Sequence, residues 1–174
     1  MTQAPVFQIV GYKNSGKTTV LCDLIEYGSS MGDQVASIKR HGHYQPLEPM
    51  HDHTDSYRLQ KAGSFLTGVD SADTFQLEVN HKQVMPLERV IRLYQSFKPD
   101  LIMIEGYKNA PFKKAVIIKD ETDLSLLELD QVAFVLTWNE DWTRHLDVPV
   151  YTMEQWNQSI ASIYEIIKRR EENE

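Results

Sequence analysis

The octapeptide Gly11-Tyr12-Lys13-Asn14-Ser15-Gly16-Lys17-Thr18 constrains this chain more than any other feature. It fills every defined position of the pattern G-x-x-x-x-G-K-[ST]. The apolar run Val6–Val10 precedes it, and from Lys17 to about Met31 the residues Val20, Leu21, Leu24, Ile25 and Met31 recur at helical spacing. Strand, glycine-bracketed loop and amphipathic helix in this order predict a phosphate-binding junction. Gly11 and Gly16 let the backbone curl until successive N–H groups point inward as an anion nest. The helix adds its free N–H groups and the positive end of its dipole. In such a loop Lys17 reaches the β- and γ-phosphates as a point charge. Thr18 offers its hydroxyl to Mg2+, and Thr19 supports the phosphates from the first turn. Lys13 and Asn14 occupy unspecified positions; Lys13 either adds charge beside the phosphates or stands solvated. Cys22, within the helix, reads as a small core residue. The pattern specifies a nucleoside triphosphate and names neither the base nor the reaction.

The remaining segments alternate in type. Val35–Lys39 reads as a second strand after Gly32, and Asp55–Ala62 as a helix closed by Gly63. Phe65–Val69 and Phe75–Val79 read as strands of an antiparallel hairpin joined by Asp70-Ser71-Ala72-Asp73. Pro86 opens a helix. Leu101–Ile104, Ala115–Ile118, Val132–Leu136 and Val148–Tyr151 are short apolar strands, and a last helix carries Ile160, Ile163, Tyr164 and Ile167. Continuously apolar strands separated by helices predict a mainly parallel sheet covered on both faces. The expectation is an α/β fold: one three-layer P-loop domain over residues 1–174, with the hairpin at an edge or in a projection.

Composition narrows the partners. Eighteen basic against 25 acidic residues give a net charge of −7 over 174 residues, a surface that repels nucleic acid. An anionic ligand must therefore meet a local gathering of cations. The single cysteine excludes an intrachain disulfide or a CxxC metal site. No apolar stretch approaches the roughly 20 residues of a membrane span, and no signal peptide is visible. A cytoplasmic protein is expected.

A triphosphate site needs an acidic group at the end of another strand to order Mg2+ or the attacking water. In Asp100-Leu101-Ile102-Met103-Ile104-Glu105-Gly106 that group is Glu105. Asp100 stands at the opposite end, where capping of the turn after Pro99 is expected. Lys108 can approach the ligand from the side. Lys113 and Lys114 join it in a second basic group, read either as solvated or as facing an anionic partner. The three tryptophans, Trp138, Trp142 and Trp156, are expected to pack, although Trp138 follows a strand end where a base could lie.

The second strand ends in Lys39-Arg40-His41-Gly42-His43, and His51-Asp52-His53-Thr54-Asp55 follows, so that four of the six histidines lie close together. Three readings remain open: a loop lining the nucleotide cleft at the carboxyl edge of the sheet, a plain surface loop, or a zinc or nickel site. Asp55 and Ser56 begin the next helix, where simple capping explains them.

Together these residues resemble the molybdopterin-guanine dinucleotide biosynthesis protein B family, MobB. The resemblance rests on Gly11 to Thr19, on Ile38-Lys39-Arg40-His41-Gly42-His43, on Asp55-Ser56-Tyr57-Arg58 with Ala62-Gly63, and on Asp100 to Lys108. His53 and Thr54 depart from it, standing where glycine and lysine are frequent. The resemblance implies a homodimeric GTP-binding protein with weak GTPase activity. Such a protein assists the MobA-like transferase that attaches GMP to molybdopterin. Carried over by position, Lys17 and Glu105 are the catalytic groups, and Thr18 and Glu105 hold Mg2+. Gly11 to Thr19, Lys39 to His43, Asp55, Gly106 and Lys108 surround GTP. Asp55 would act as an outer partner of the metal. Two other readings carry the same loop: a histidine-rich metallochaperone GTPase and a small-molecule kinase.

Overall fold

The computed structural model describes residues 3–41, 54–80, 84–144 and 146–169. In chain order the elements are β1 (Val6–Val10), α1 (Lys17–Ser30), β2 (Val35–Lys39), α2 (Asp55–Lys61), β3 (Leu66–Asp70), β4 (Phe75–Val79), α3 (Leu87–Ser96), β5 (Leu101–Glu105), β6 (Lys114–Ile118), β7 (Val132–Thr137), β8 (Val150–Thr152) and α4 (Trp156–Lys168). They fall into two compact units, residues 1–40 with 91–174, and residues 41–90.

The first unit is built on a six-stranded sheet in the order β2-β5-β1-β6-β7-β8, parallel at every pairing. The sequence explains why: β5 and β6 are buried at every position, the condition for a sheet sandwiched between two layers. One face carries Phe7, Ile9, Leu101, Met103, Ile117, Phe134 and Leu136 against Val20, Leu21 and Leu24 of α1 and Trp156, Ile163, Tyr164 and Ile167 of α4. The reverse face sets Val10, Val116, Ile118 and Val135 against Leu126, from a 3-10 segment at Glu121–Glu128. Each fully buried aliphatic or aromatic side chain contributes about 1.5–3 kcal/mol. These layers hold the strand ends, where the loops gather.

Helix α4 is also tied by polar contacts to α1 and to Asp33 in the turn that follows it. The Trp156 indole N–H donates to Asp23 Oδ2 at 2.7 Å, and the Tyr164 hydroxyl to Asp33 Oδ2 at 2.8 Å. The Lys168 ammonium reaches both Asp33 oxygens, at 2.9 and 2.8 Å.

In the second unit, Thr54 caps α2 by accepting the Tyr57 amide. The hairpin forms as expected, one residue later on its first strand, with pairs running from Leu66↔Val79 to Asp70↔Phe75. Phe75 lies over Gly68, where an added Cβ would come within 3.0 Å of its ring.

Several expectations need correction. Cys22 is exposed: the buried stripe of α1 runs through Val20, Leu21, Leu24 and Gly28, and position 22 turns outward. Lys114 belongs neither to a solvated loop nor to a partner-facing group. It lies inside β6, 1% exposed, and its Nζ donates to the carbonyls of Ala110 and Asp130 at 3.1 and 2.6 Å. Burial pulls its ammonium below the ordinary lysine range, with the Asp130 charge opposing. Asp100 does not cap the turn before it. Its carboxylate accepts the Gln34 amide at 2.8 Å, and its own amide donates to Gln34 O, pinning the start of β2 to that of β5. The last strand begins at Val150 rather than Val148, because Pro149 has no N–H for the ladder and serves only as an acceptor, for Val135 N at 2.9 Å.

Candidate functional site

The loop after β1 is curled. Asn14 (φ 62°) and Gly16 (φ 101°) are both left-handed, the kind of backbone from which anion-binding amide nests are built. Gly11 has no space for a side chain: a Cβ there would come within 2.5 Å of Ser15 Oγ and 3.3 Å of Ile117 Cβ. The first intrahelical bond of α1 runs from Val20 N to Gly16 O. The amides before it have no place in the helical ladder. No side chain caps this end, and no acid stands in its first turn. Ser15 is 1% exposed and its Oγ has no hydrogen-bond partner among the described residues. That oxygen is shut off from solvent against Gly11, so it belongs to the inner packing of the loop.

Lys17 donates to Tyr12 O. Burial holds its ammonium below the ordinary lysine value, Lys39 adds to the effect, and the charges of Glu105 and Asp123 oppose it. An anion in the loop would raise it again and so be bound more tightly by the charged form.

Beside the loop, three chemical groups converge. Glu105, 6% exposed, accepts the Thr18 hydroxyl at Oε2, at 2.8 Å, and the Lys39 ammonium at the same oxygen, at 3.1 Å. Lys39 also donates to Thr18 Oγ1 at 3.2 Å. Strand register makes this meeting unavoidable, for Glu105 lies opposite Lys39 on one side and Ile9 on the other. All three strands run parallel, so their carboxyl ends share one edge. The result is a carboxylate and a hydroxyl held together, a pair of hard oxygen donors suited to Mg2+.

The turn after Glu105 is braced from below. Gln8, fully buried in β1, donates from Nε2 to Gly106 O and Tyr107 O, each at 2.9 Å. Gly106 (φ 90°) and Tyr107 (φ 51°) form that turn in left-handed conformation. The Arg40 guanidinium lies 5.1 Å over the Tyr107 ring, and the Lys108 ammonium 5.6 Å over that of Tyr12. Gln8 was not anticipated, though a lone amide inside Val6–Val10 was the available signal.

On the other flank of the loop Lys119 was missed, whereas Trp138 was singled out for its place after a strand end. Lys119, at the end of β6, donates to Asn14 O at 3.0 Å, and the Trp138 indole donates to Ser15 O at 3.3 Å. Trp138 is 54% exposed, which sets aside the packing expectation and leaves its other reading, a strand-end ring open to a ligand, untouched. Trp156, at 4%, is indeed packed.

Lys13 and Thr19 are exposed around the loop. Gly42, His43, His51, Asp52 and His53 lie outside the described residues. His41 and Asp55 belong to the second unit. There Asp55 sits exposed in the first turn of α2, paired with Arg58 at 3.2 Å. Among the described residues no group of three or more His, Cys, Asp or Glu is placed to hold a metal. Among them, too, no helix is long and apolar enough to cross a membrane.

Known proteins place this geometry in context. The profile of the family described as molybdopterin guanine dinucleotide synthesis protein B matches residues 6–138. The chain is 34% identical over 148 residues to a Bacillus subtilis protein described as a probable molybdopterin-guanine dinucleotide biosynthesis adapter protein, covering 84% of each chain. The crystal structure of Bacillus subtilis MobB superposes with a TM-score of 0.81 at 30% identity, over 95% of this chain and 99% of that one. A MobB homologue from Bacillus stearothermophilus superposes with a TM-score of 0.77 at 26% identity, with the same coverage.

Proposed function

The chain belongs to the MobB family, and on that premise we propose that it is a GTP-binding adapter in molybdenum cofactor biosynthesis, with weak GTPase activity. It assists a MobA-like transferase that joins GMP to molybdopterin in the cytoplasm. Relatives described as molybdopterin-guanine dinucleotide biosynthesis adapter proteins support the pathway and the adapter role. One observation supports the nucleotide chemistry above all others: the Thr18–Glu105 pair, bridged by Lys39, beside a glycine-bracketed loop that runs into the uncapped N-terminus of α1.

In this reading Gly11 to Thr19 wrap the phosphates and Lys17 neutralises their far end. Thr18 and Glu105 would hold Mg2+, which would supply positive charge to the phosphates. Lys39 and Arg40, at the end of β2, keep the surroundings of Glu105 cationic. Lys108 and Gly106 border the same edge. His41, Gly42, His43 and Asp55 remain assigned to the nucleotide's surroundings by resemblance alone. No arginine is supplied to the phosphates from within the loop, so turnover should be slow. Homodimerisation is supported by the apolar, exposed hairpin face of the second unit, with Leu66 and Phe75 at 45% and 57% exposure. We take residues 1–174 to act as one nucleotide-binding domain.

The test is equilibrium binding of GTP with Mg2+. Lys17→Ala should weaken affinity by about tenfold or more, the equivalent of one lost charge-assisted contact. Glu105→Gln should lower phosphate release more than affinity. Unchanged GTP affinity in Lys17→Ala would overturn the proposal, and a phosphorylated small molecule in place of free phosphate would favour a kinase.

A further inference from the structure

We propose that Gln8 and Lys114 are positioning residues for the anion site: side by side beneath the connection from β5 to β6, they hold it so that Lys108 stands at the phosphate loop. The inference rests on the triphosphate reading of that loop and adds the means by which one of its cations is kept in place.

Topology creates the problem that these residues solve. Strands β5 and β6 run parallel on either side of β1. Residues 106–113 must therefore return from the carboxyl edge of the sheet, passing β1 on the way. Parallel strands are ordinarily joined by about a dozen residues or more that include a helix, which satisfies its own backbone. Here eight residues make the return, with neither helix nor strand among them. Their carbonyls have no ladder to join.

Gln8 and Lys114 meet those carbonyls. The two are partners in register, so their side chains leave the same face of the sheet, the one that also carries Val10, Val116 and Ile118. Both are buried. Gln8 Nε2 donates to Gly106 O and Tyr107 O, at the head of the connection. Lys114 Nζ donates to Ala110 O further along, and to Asp130 O. A bond from Ala110 N to Tyr107 O, at 2.7 Å, links the two grips. Gln8 Oε1 meanwhile has no partner among the described residues. An aliphatic side chain would serve the packing of β1 without leaving an oxygen unmet, so the amide is explained by what it donates to.

The gripped segment borders the site. Gly106 and Tyr107 are both left-handed, a backbone that a tyrosine rarely adopts. Past that turn the Lys108 ammonium lies over the ring of Tyr12, within the phosphate loop, and Tyr12 O accepts Lys17. Glu105 needs no such help, because β1 and β2 flank it in register. The cation whose place depends on the connection is Lys108.

The alternative is that Gln8 and Lys114 only satisfy the core. Titration of the full chain with GTP and Mg2+ at several salt concentrations separates the two. Lys108→Ala should weaken GTP binding by about two- to fivefold, the share of one exposed charge, and flatten its salt dependence. Gln8→Leu removes no charge, yet it should do both to a similar extent. Lys114→Met should weaken binding likewise, and whichever of the two core variants folds carries the test. Either one combined with Lys108→Ala should bind no more weakly than Lys108→Ala alone, since one acts through the other. Hydrogen exchange of the Ala110 amide should quicken in the core variants while the amides of β5 stay protected. A core variant that is less stable but keeps wild-type affinity and salt dependence would overturn the proposal. So would losses that multiply in the double variant, an Ala110 amide that exchanges as in wild type, or Lys108→Ala without effect on GTP. All of these leave the phosphate loop standing. A wild-type chain that binds no GTP would overturn the phosphate reading and the positioning role with it.

Discussion

Glu105 is nearly buried, yet its carboxylate is compensated by a hydroxyl and an ammonium. A buried charge survives only on such terms. Lys114 meets the same demand differently, with two carbonyls for its ammonium. The two residues were unequally legible. Glu105 announced itself by standing after an apolar run and before a glycine. Lys114 looked like the end of a basic loop, and nothing local reveals that the strand begins one residue earlier and carries it inside. Gly28 is a third case, inconspicuous in the sequence. A Cβ there would collide with the Tyr164 hydroxyl, approach its Cζ to 2.6 Å and Val35 Cγ2 to 2.8 Å. Gly28→Ala should therefore destabilise the fold by about 1–3 kcal/mol, the usual cost of overpacking, despite alanine's better helix propensity. Urea unfolding measures it, and an unchanged or raised midpoint would contradict the close approach.

Among the elements, α4 depends most on contacts made across the sequence. Its apolar residues predict a helix, and the helix forms. Its seat against α1 depends on Asp33, just past the end of α1. Lys168 foremost, and Tyr164 after it, hold the Asp33 carboxyl below the ordinary aspartate value, against the opposing effect of burial. The Tyr164 hydroxyl is pushed up, by burial first and then by Asp33. Because the folded-state value of Asp33 is depressed, the stability it lends is fully present above the unfolded-state pKa. It is lost as pH falls through the folded one. Asp33→Asn should therefore cost on the order of 1 kcal/mol at neutral pH, a figure reduced for the partial solvent access of Lys168. The difference from wild type should shrink as the pH drops below the ordinary aspartate range. Unfolding curves at several acidic pH values show this directly, and a gap that stays constant would remove Asp33 as the source.

For the whole molecule the governing fact is a net charge of −7. Against that background, Lys17, Lys39, Arg40, Lys108 and Lys119 lie along one edge of the sheet, at or beside the ends of β1, β2, β5 and β6. An anion held there links elements that are distant in sequence, so binding should stabilise the fold as a unit. At a hundredfold excess over its dissociation constant, GTP with Mg2+ should add about 2.7 kcal/mol. For a chain of this size that is a rise in Tm of roughly 5–10 °C. At the same GTP concentration the rise should fall to about half or less in Lys17→Ala, and differential scanning fluorimetry reads both.

The local grammar of the chain was enough to specify the strand–loop–helix around Gly11 and Gly16, the alternation of strands and helices, and the parallel sheet, because hydrophobic period, glycine placement and strand length act over a few residues. It also marked Glu105 and Lys39 as separate strand-end groups. That they share one oxygen follows from β2 and β5 lying side by side, and parallel neighbours are chosen by how crossover helices pack, not by local preference. The same order brings Lys119 and Trp138 to the loop and leaves Trp138 open, while helix rotation turns Cys22 outward. Burial is a property of the assembled layers, so the accessibility of any one side chain became readable only when all of them were in place.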